Sequence, residues 1–132
     1  MSTPTRIQRL RSAGWRQPPS TKYCGRPGKW GNPFVAVQTL KNPDRFVVFV
    51  ITPLRGLRDL CESIKYRFGP AVFSEKHKAQ AHAAFLFGKL MDNSPGLYRV
   101  EELAKYAHLS CWCKVGEACH VDEIIKRIQS SK

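Results

Sequence analysis

The chain has 132 residues, 42% of them hydrophobic, and a formal net charge of +12. That is enough apolar material for one compact core without disulfides. No apolar run approaches the roughly 20 residues that cross a bilayer, and the N-terminal stretch lacks the apolar segment of a secretory leader. A cytoplasmic protein with no membrane partner is therefore expected, and in that reducing setting an odd set of five cysteines reads as metal ligands or reactive thiols before it reads as bridges.

The charge is uneven. Residues 1–43 hold Arg6, Arg9, Arg11, Arg16, Lys22, Arg26, Lys29 and Lys41 with no acidic residue among them, whereas residues 44–132 mix both signs. Residues 1–22, punctuated by Pro18-Pro19-Ser20, read as a basic, irregular arm, and residues 23–132 as a single α/β domain. Such an arm either neutralises the phosphates of a nucleic acid or nucleotide or serves as a flexible solubilising tail. Trp15 within it, and Trp30 further along the acid-free stretch, favour the first, because a merely solvating tail has no use for indoles.

After the arm, TKYCGRP begins a short extended piece, and Gly25, Pro27, Gly28, Gly31 and Pro33 force a tight loop. Residues 45–51, RFVVFVI, are a continuous β-branched and aromatic run, which predicts a central strand covered on both faces. Beyond Thr52-Pro53 the positions Leu57, Leu60, Cys61, Ile64 and Phe68 recur at helical spacing until Gly69-Pro70, with Cys61 in the core. A second helix runs from a Ser74 cap to Met91. Its Ala79, Ala83, Phe85, Leu86, Phe87 and Leu90 cover more than one face, so it is largely buried. His77 and His82, five apart, read as surface or packing residues. Asn93 to Gly96 form a turn and VEELAKYA a short helix. LSCWC then alternates as a strand, with Leu109, Cys111 and Cys113 on one face and Ser110 and Trp112 on the other. Val121, Ile124, Ile125 and Ile128 place Cys119 and His120 at the start of a last helix.

In a strand–loop–helix unit the end of the strand and the helix N-terminus face one crevice. Cys113, Cys119 and His120 converge there, with Cys111 two positions earlier on the same strand face, and three thiolates with an imidazole are a tetrahedral zinc set. A metal-free reactive site competes with that reading: a cysteine at a helix N-terminus, Cys113 or Cys119, with His120 as acid or base and Asp122 orienting it. Packing of small thiols is the third reading. The loop YCGRPGKWGNPF sets Arg26, Lys29, Trp30 and Asn32 among glycines whose backbone N–H groups can cradle a phosphate beside a stacked base or sugar. Alternatively, Trp30 plugs the core and the glycines make a structural turn.

GRPGKWGNPF, preceded by RSAGWRQPP and followed far downstream by CWCKVGEACHVDEI, resembles an uncharacterised family of bacteria and their phages, domain of unknown function 4326. The resemblance covers the two ends of the chain and implies that they belong to one domain. It also implies that Arg26, Lys29 and Asn32 share a site with Cys113, Cys119, His120 and Asp122. The Cys-His step that opens a helix after a final strand also resembles the ending of another uncharacterised α/β family, domain of unknown function 488. That likeness favours a Rossmann-like sheet, and the fold expected from the whole reading is a small α/β single domain, Rossmann-like, with a few-stranded, mostly parallel sheet and helices on both faces. The expected function is binding of a phosphate-bearing ligand, nucleotide or nucleic acid, with zinc as the cofactor. The alternatives are an enzyme acting on a nucleotide or nucleic-acid base through Cys113, His120 and Asp122, and a structural phage or host interaction protein.

Overall fold

The computed structural model describes residues 3–26, 28–52, 56–70, 72–114 and 116–131. Pro27 of the glycine-rich loop and Pro53 of the expected strand break lie outside them. Among the described residues, six short strands form two three-stranded sheets. One is parallel, ordered β1 (Thr5–Gln8), β6 (His108–Cys111), β2 (Thr21–Tyr23). The other is antiparallel, ordered β3 (Phe34–Gln38), β4 (Phe46–Val50), β5 (Val72–Phe73). The mixed α/β class is as expected, but the single, mostly parallel sheet is not: half of the strands are antiparallel. The cause is local, since β3 and β4 are joined by a turn in which Thr39 N–H donates to the Arg45 carbonyl, and so short a connection permits only an antiparallel pair.

The run at 45–51 does form the middle strand of its sheet, but it is not covered on both faces. Val48 and Val50 are buried while Phe49 is half exposed, the alternation of an antiparallel sheet with one solvated side. The doubly covered strand is β6, where Leu109, Ser110 and Cys111 are all buried. Ser110, polar in that setting, donates its hydroxyl to Gln17 Oε1 at 3.1 Å, which satisfies it.

The arm is not irregular throughout. TRIQ pairs with β6 as β1, from Thr5↔His108 to Gln8↔Cys111, and the Ala107 N–H bonds the Ser20 carbonyl at 2.8 Å. Residues 5–23 are thereby wrapped onto the domain.

The helices follow their periodicity. α1 (Leu57–Arg67) buries Leu57, Cys61 and Ile64, and burial pushes the Cys61 thiol up to about 11, as befits a core residue. α2 (Lys76–Asn93) starts after Glu75 and not at Ser74, runs two residues past Met91, and buries Ala79, Ala83, Leu86, Phe87 and Leu90. VEELAKYA forms only a 3-10 turn over Val100–Leu103. α3 (His120–Ser130) buries Val121, Ile124 and Ile128. α1 and α2 pack on the antiparallel sheet, and α3 packs on β1, β6 and α2, so helices do not sandwich one common sheet. α2 is the element that joins the two halves. His77 is exposed beside Glu75, whereas His82 stacks between Phe73 and Phe85. Among the described residues, no helix is long and apolar enough to cross a membrane.

Candidate metal and ligand site

Three parallel strands send their carboxyl ends to the same edge of a sheet, and the residues that follow them meet there. After β1 comes Arg9, after β2 come Cys24 to Arg26, and after β6 come Trp112 and Cys113. The last parallel hydrogen bond is Arg9 N–H to the Cys111 carbonyl at 2.7 Å. Beyond it the strand expected over LSCWC stops, Trp112 turns outward, and Cys113 comes back toward the start of α3. There the sulfurs of Cys111, Cys113 and Cys119 lie within 4.8 Å of one another, with Cys111 and Cys119 at 3.2 Å. All three are free thiols, and their separation is close to the sulfur–sulfur spacing of a tetrahedral thiolate centre. These three cysteines can hold a metal ion.

The three thiols set one another's protonation. Cys113 is held far below the ordinary thiol range, first because Cys111 and then because Cys119 can donate to its thiolate, with the Arg6 guanidinium adding positive potential. Cys111 is pushed up to about 11, chiefly as the donor to Cys113. Cys119 is pushed up as well, by its bond to Cys111 and then to Cys113.

His120 stands beside this trio and not within it. Its Nε2 donates to the Cys24 carbonyl at 2.5 Å, its Nδ1 lies 3.7 Å from Cys119 Sγ, and its ring packs edge-on against Phe87 at 5.2 Å. A carbonyl only accepts, so the proton sits on Nε2 and Nδ1 keeps its lone pair toward Cys119. Burial holds the imidazole below its ordinary range, and neutral is the form in which it ligates metal.

Asp122 does not orient His120. It forms an ion pair with Arg6 at 2.9 Å, and the same guanidinium donates to the carbonyls of Glu117 at 2.9 Å and Lys114 at 3.0 Å. Arg6 is therefore a clamp on the loop that carries the cysteines, and it is not available for a ligand's phosphate. Nothing in the sequence near Arg6 signals this role, because its partner is 116 positions away.

The glycine-rich loop divides in two. Arg26 and Asn32 line a cavity of about 420 Å³ together with Tyr23, Trp112 and the cluster Cys111, Cys113, Cys119 and His120. Arg26 is exposed. Asn32 is engaged structurally: its Nδ2 donates to the Ala83 carbonyl at 3.1 Å and its Oδ1 accepts from Phe34 N–H at 2.9 Å. Lys29 and Trp30 face elsewhere. Trp30 is buried edge-on to Tyr98 at 5.5 Å, and Lys29 lies over the same indole and 3.8 Å from Glu102. Trp30 thus plugs the core, one of the two roles open to it from sequence. Gly31 is required sterically, since a Cβ there would stand 2.6 Å from Arg26 N. Tyr23 and Trp112 were not singled out by the motifs for this cavity; the only sequence signal was the large aromatic between two cysteines in CWC.

No curated protein and no solved structure matches the chain. The family model described as Domain of unknown function (DUF4326) matches residues 7–130, so both ends that meet at this cavity fall within one family domain, and the chain belongs to that family.

Proposed function

We propose that this chain binds a phosphate-bearing ligand, a nucleotide or a nucleic acid, in the cleft shared by Arg26 and the cysteine trio, beside a zinc ion held by Cys111, Cys113 and Cys119. The observation that carries the reading is that one cavity of about 420 Å³ collects the Arg26 cation, the rings of Tyr23 and Trp112 among others, and the thiols. That volume lies within the range of small-ligand pockets, roughly 300–1,000 Å³, and convergent polar groups in such a pocket mark a binding site. The net charge of +12 supports an anionic partner.

Zinc is favoured over harder cations because the donors are thiolates. Cys113 and its neighbours would hold the ion, and the ion would supply a fixed positive charge and a Lewis acid at the cleft wall. The position of His120 outside the trio favours a second reading, an enzyme acting on a nucleotide or base, in which the fourth coordination position opens onto the cleft.

Protein purified without chelator and without a histidine tag is expected to carry close to one zinc per chain, lost in a Cys113→Ser, Cys119→Ser variant. Metal-free protein of unchanged thermal stability would remove the zinc reading. Cobalt substitution separates the two functions: a visible spectrum unaffected by added nucleotide supports a closed site and a binding module, and a spectrum that shifts supports an open one.

A further inference from the structure

The cleft has a rim that the motifs do not explain. Trp112, just past the end of β6, is 42% exposed, although an indole is among the side chains that gain most from burial. The guanidinium carbon of Arg11 lies 4.7 Å from its ring centre and that of Arg9 5.2 Å. Arg9 also lies 4.5 Å from the Tyr23 ring and 6.0 Å from Trp15. Its Nε is buried without a hydrogen-bond partner among the described residues.

Two like charges therefore gather on one exposed indole, and among the described residues neither forms an ion pair with a carboxylate. Cation–π attraction holds each guanidinium near the indole, and no carboxylate among the described residues offsets their mutual repulsion. A polyanion compensates it. Trp112 and Tyr23 also line the cleft onto which Arg26 opens, so the aromatic rim and the third cation form one continuous surface.

We infer that Trp112, with Arg9 and Arg11 beside it, is a stacking platform for the unpaired bases of a single-stranded nucleic acid, whose phosphates meet Arg11 and Arg26. The inference rests on the proposed reading of the cleft and narrows it. A duplex offers its phosphates but keeps its base faces stacked on one another, whereas an unpaired base has a free face for an indole. Stacking of this kind is tolerant of sequence, because every base has such a face.

The test uses the full chain and three probes: a labelled oligothymidylate about a dozen nucleotides long, a duplex of the same length, and a nucleoside triphosphate. Affinity is read by anisotropy, or for the triphosphate by calorimetry, over a series of salt concentrations. The single strand is expected to bind more tightly than the duplex. Trp112→Ala should weaken the single strand roughly tenfold or more, with most of the affinity kept in Trp112→Phe. Neither should change the salt slope, whereas Arg11→Ala should flatten it by about 0.7. Equal affinity for strand and duplex overturns the platform, as does a folded Trp112→Ala protein that binds the strand like the parent. Should Trp112→Ala fold poorly, Arg11→Ala carries the test, because its side chain is exposed and an unchanged slope is equally fatal. If the platform fails while Arg26→Ala still weakens triphosphate binding, the cleft reading survives. If the parent protein binds none of the three probes, both fall together.

Discussion

The two sheets have three strands each, yet they differ in how they are assembled and in what they carry. The antiparallel sheet is local: β3 and β4 close through a tight turn, and its outer side leaves Phe49 and Val72 half exposed. The parallel sheet joins the ends of the chain, with Thr5 bonding His108 across 103 positions, and closing so long a loop costs entropy that burial must offset. β6, covered on both faces, supplies that burial. Direction then decides where chemistry collects. Antiparallel neighbours send their ends to opposite edges, while β1, β2 and β6 deliver Arg9, Cys24 to Arg26, and Trp112 with Cys113 to the same one. A site built of single residues from three distant segments needs the parallel arrangement.

The largest effect should come from the core on which both sheets depend. Trp30→Ala removes a buried indole packed against Tyr98 and is expected to cost about 3–5 kcal/mol in urea denaturation. A loss below about 1 kcal/mol would mean that the indole is not a core plug and that the loop has freedom to move toward the cleft.

Metal removal should separate the sheets. If zinc bound at 100 to 1,000 times its dissociation constant stabilises the fold by roughly 3–4 kcal/mol, chelation should lower stability by that amount. It should also expose the amides of β1 and β6 to hydrogen exchange while the β3–β4 hairpin keeps its protection. Uniform loss of protection would show the two sheets to be one cooperative unit.

Arg6→Ala should cost about 1–3 kcal/mol, because it strips charge-assisted bonds from the carbonyls of Lys114 and Glu117 as well as from Asp122. Asp122→Asn should cost under about 1 kcal/mol, since that carboxylate is half exposed and surface pairs contribute little. Thermal melts of the two variants compare them directly, and equal effects would deny the clamp. Deleting residues 1–22 is a poorer probe of the basic arm than point substitution, as it removes β1 along with the charge.

Much of this was legible in the sequence where the signal is local. The 3.6-residue spacing located α1 and α3, and the strand–loop–helix order brought Cys111, Cys113 and Cys119 together even though β6 ends two residues early. What was not legible depended on distant partners. TRIQ is too short and polar to read as a strand without β6, and Arg6 shows no sign of its tie to Asp122. A continuous apolar run such as FVVFV cannot by itself reveal which of its residues face solvent, so from sequence β4 reads as the doubly covered strand. Asp122, two positions from His120, reads from sequence as its orienting partner. The Cys24 carbonyl, 96 positions away, fills that role instead.

The smallest structural change should have the sharpest functional consequence. Arg26 and Lys29 are three residues apart in one loop, each carries one positive charge, and sequence alone assigns both to a phosphate. In the fold only Arg26 lines the cavity, while Lys29 pairs with Glu102. Arg26→Ala should therefore weaken binding of a nucleoside triphosphate about tenfold or more, the scale of a hydrogen bond to a charged group. Stability should move by less than about 0.5 kcal/mol, because the side chain is exposed. Lys29→Ala changes the net charge by the same amount and should leave that affinity nearly unaltered. Calorimetric titration of the two variants at one ionic strength tests position against charge. If both lose affinity equally, the ligand senses only the overall positive field, and the cavity at the carboxyl ends of the parallel strands is not where its phosphate sits.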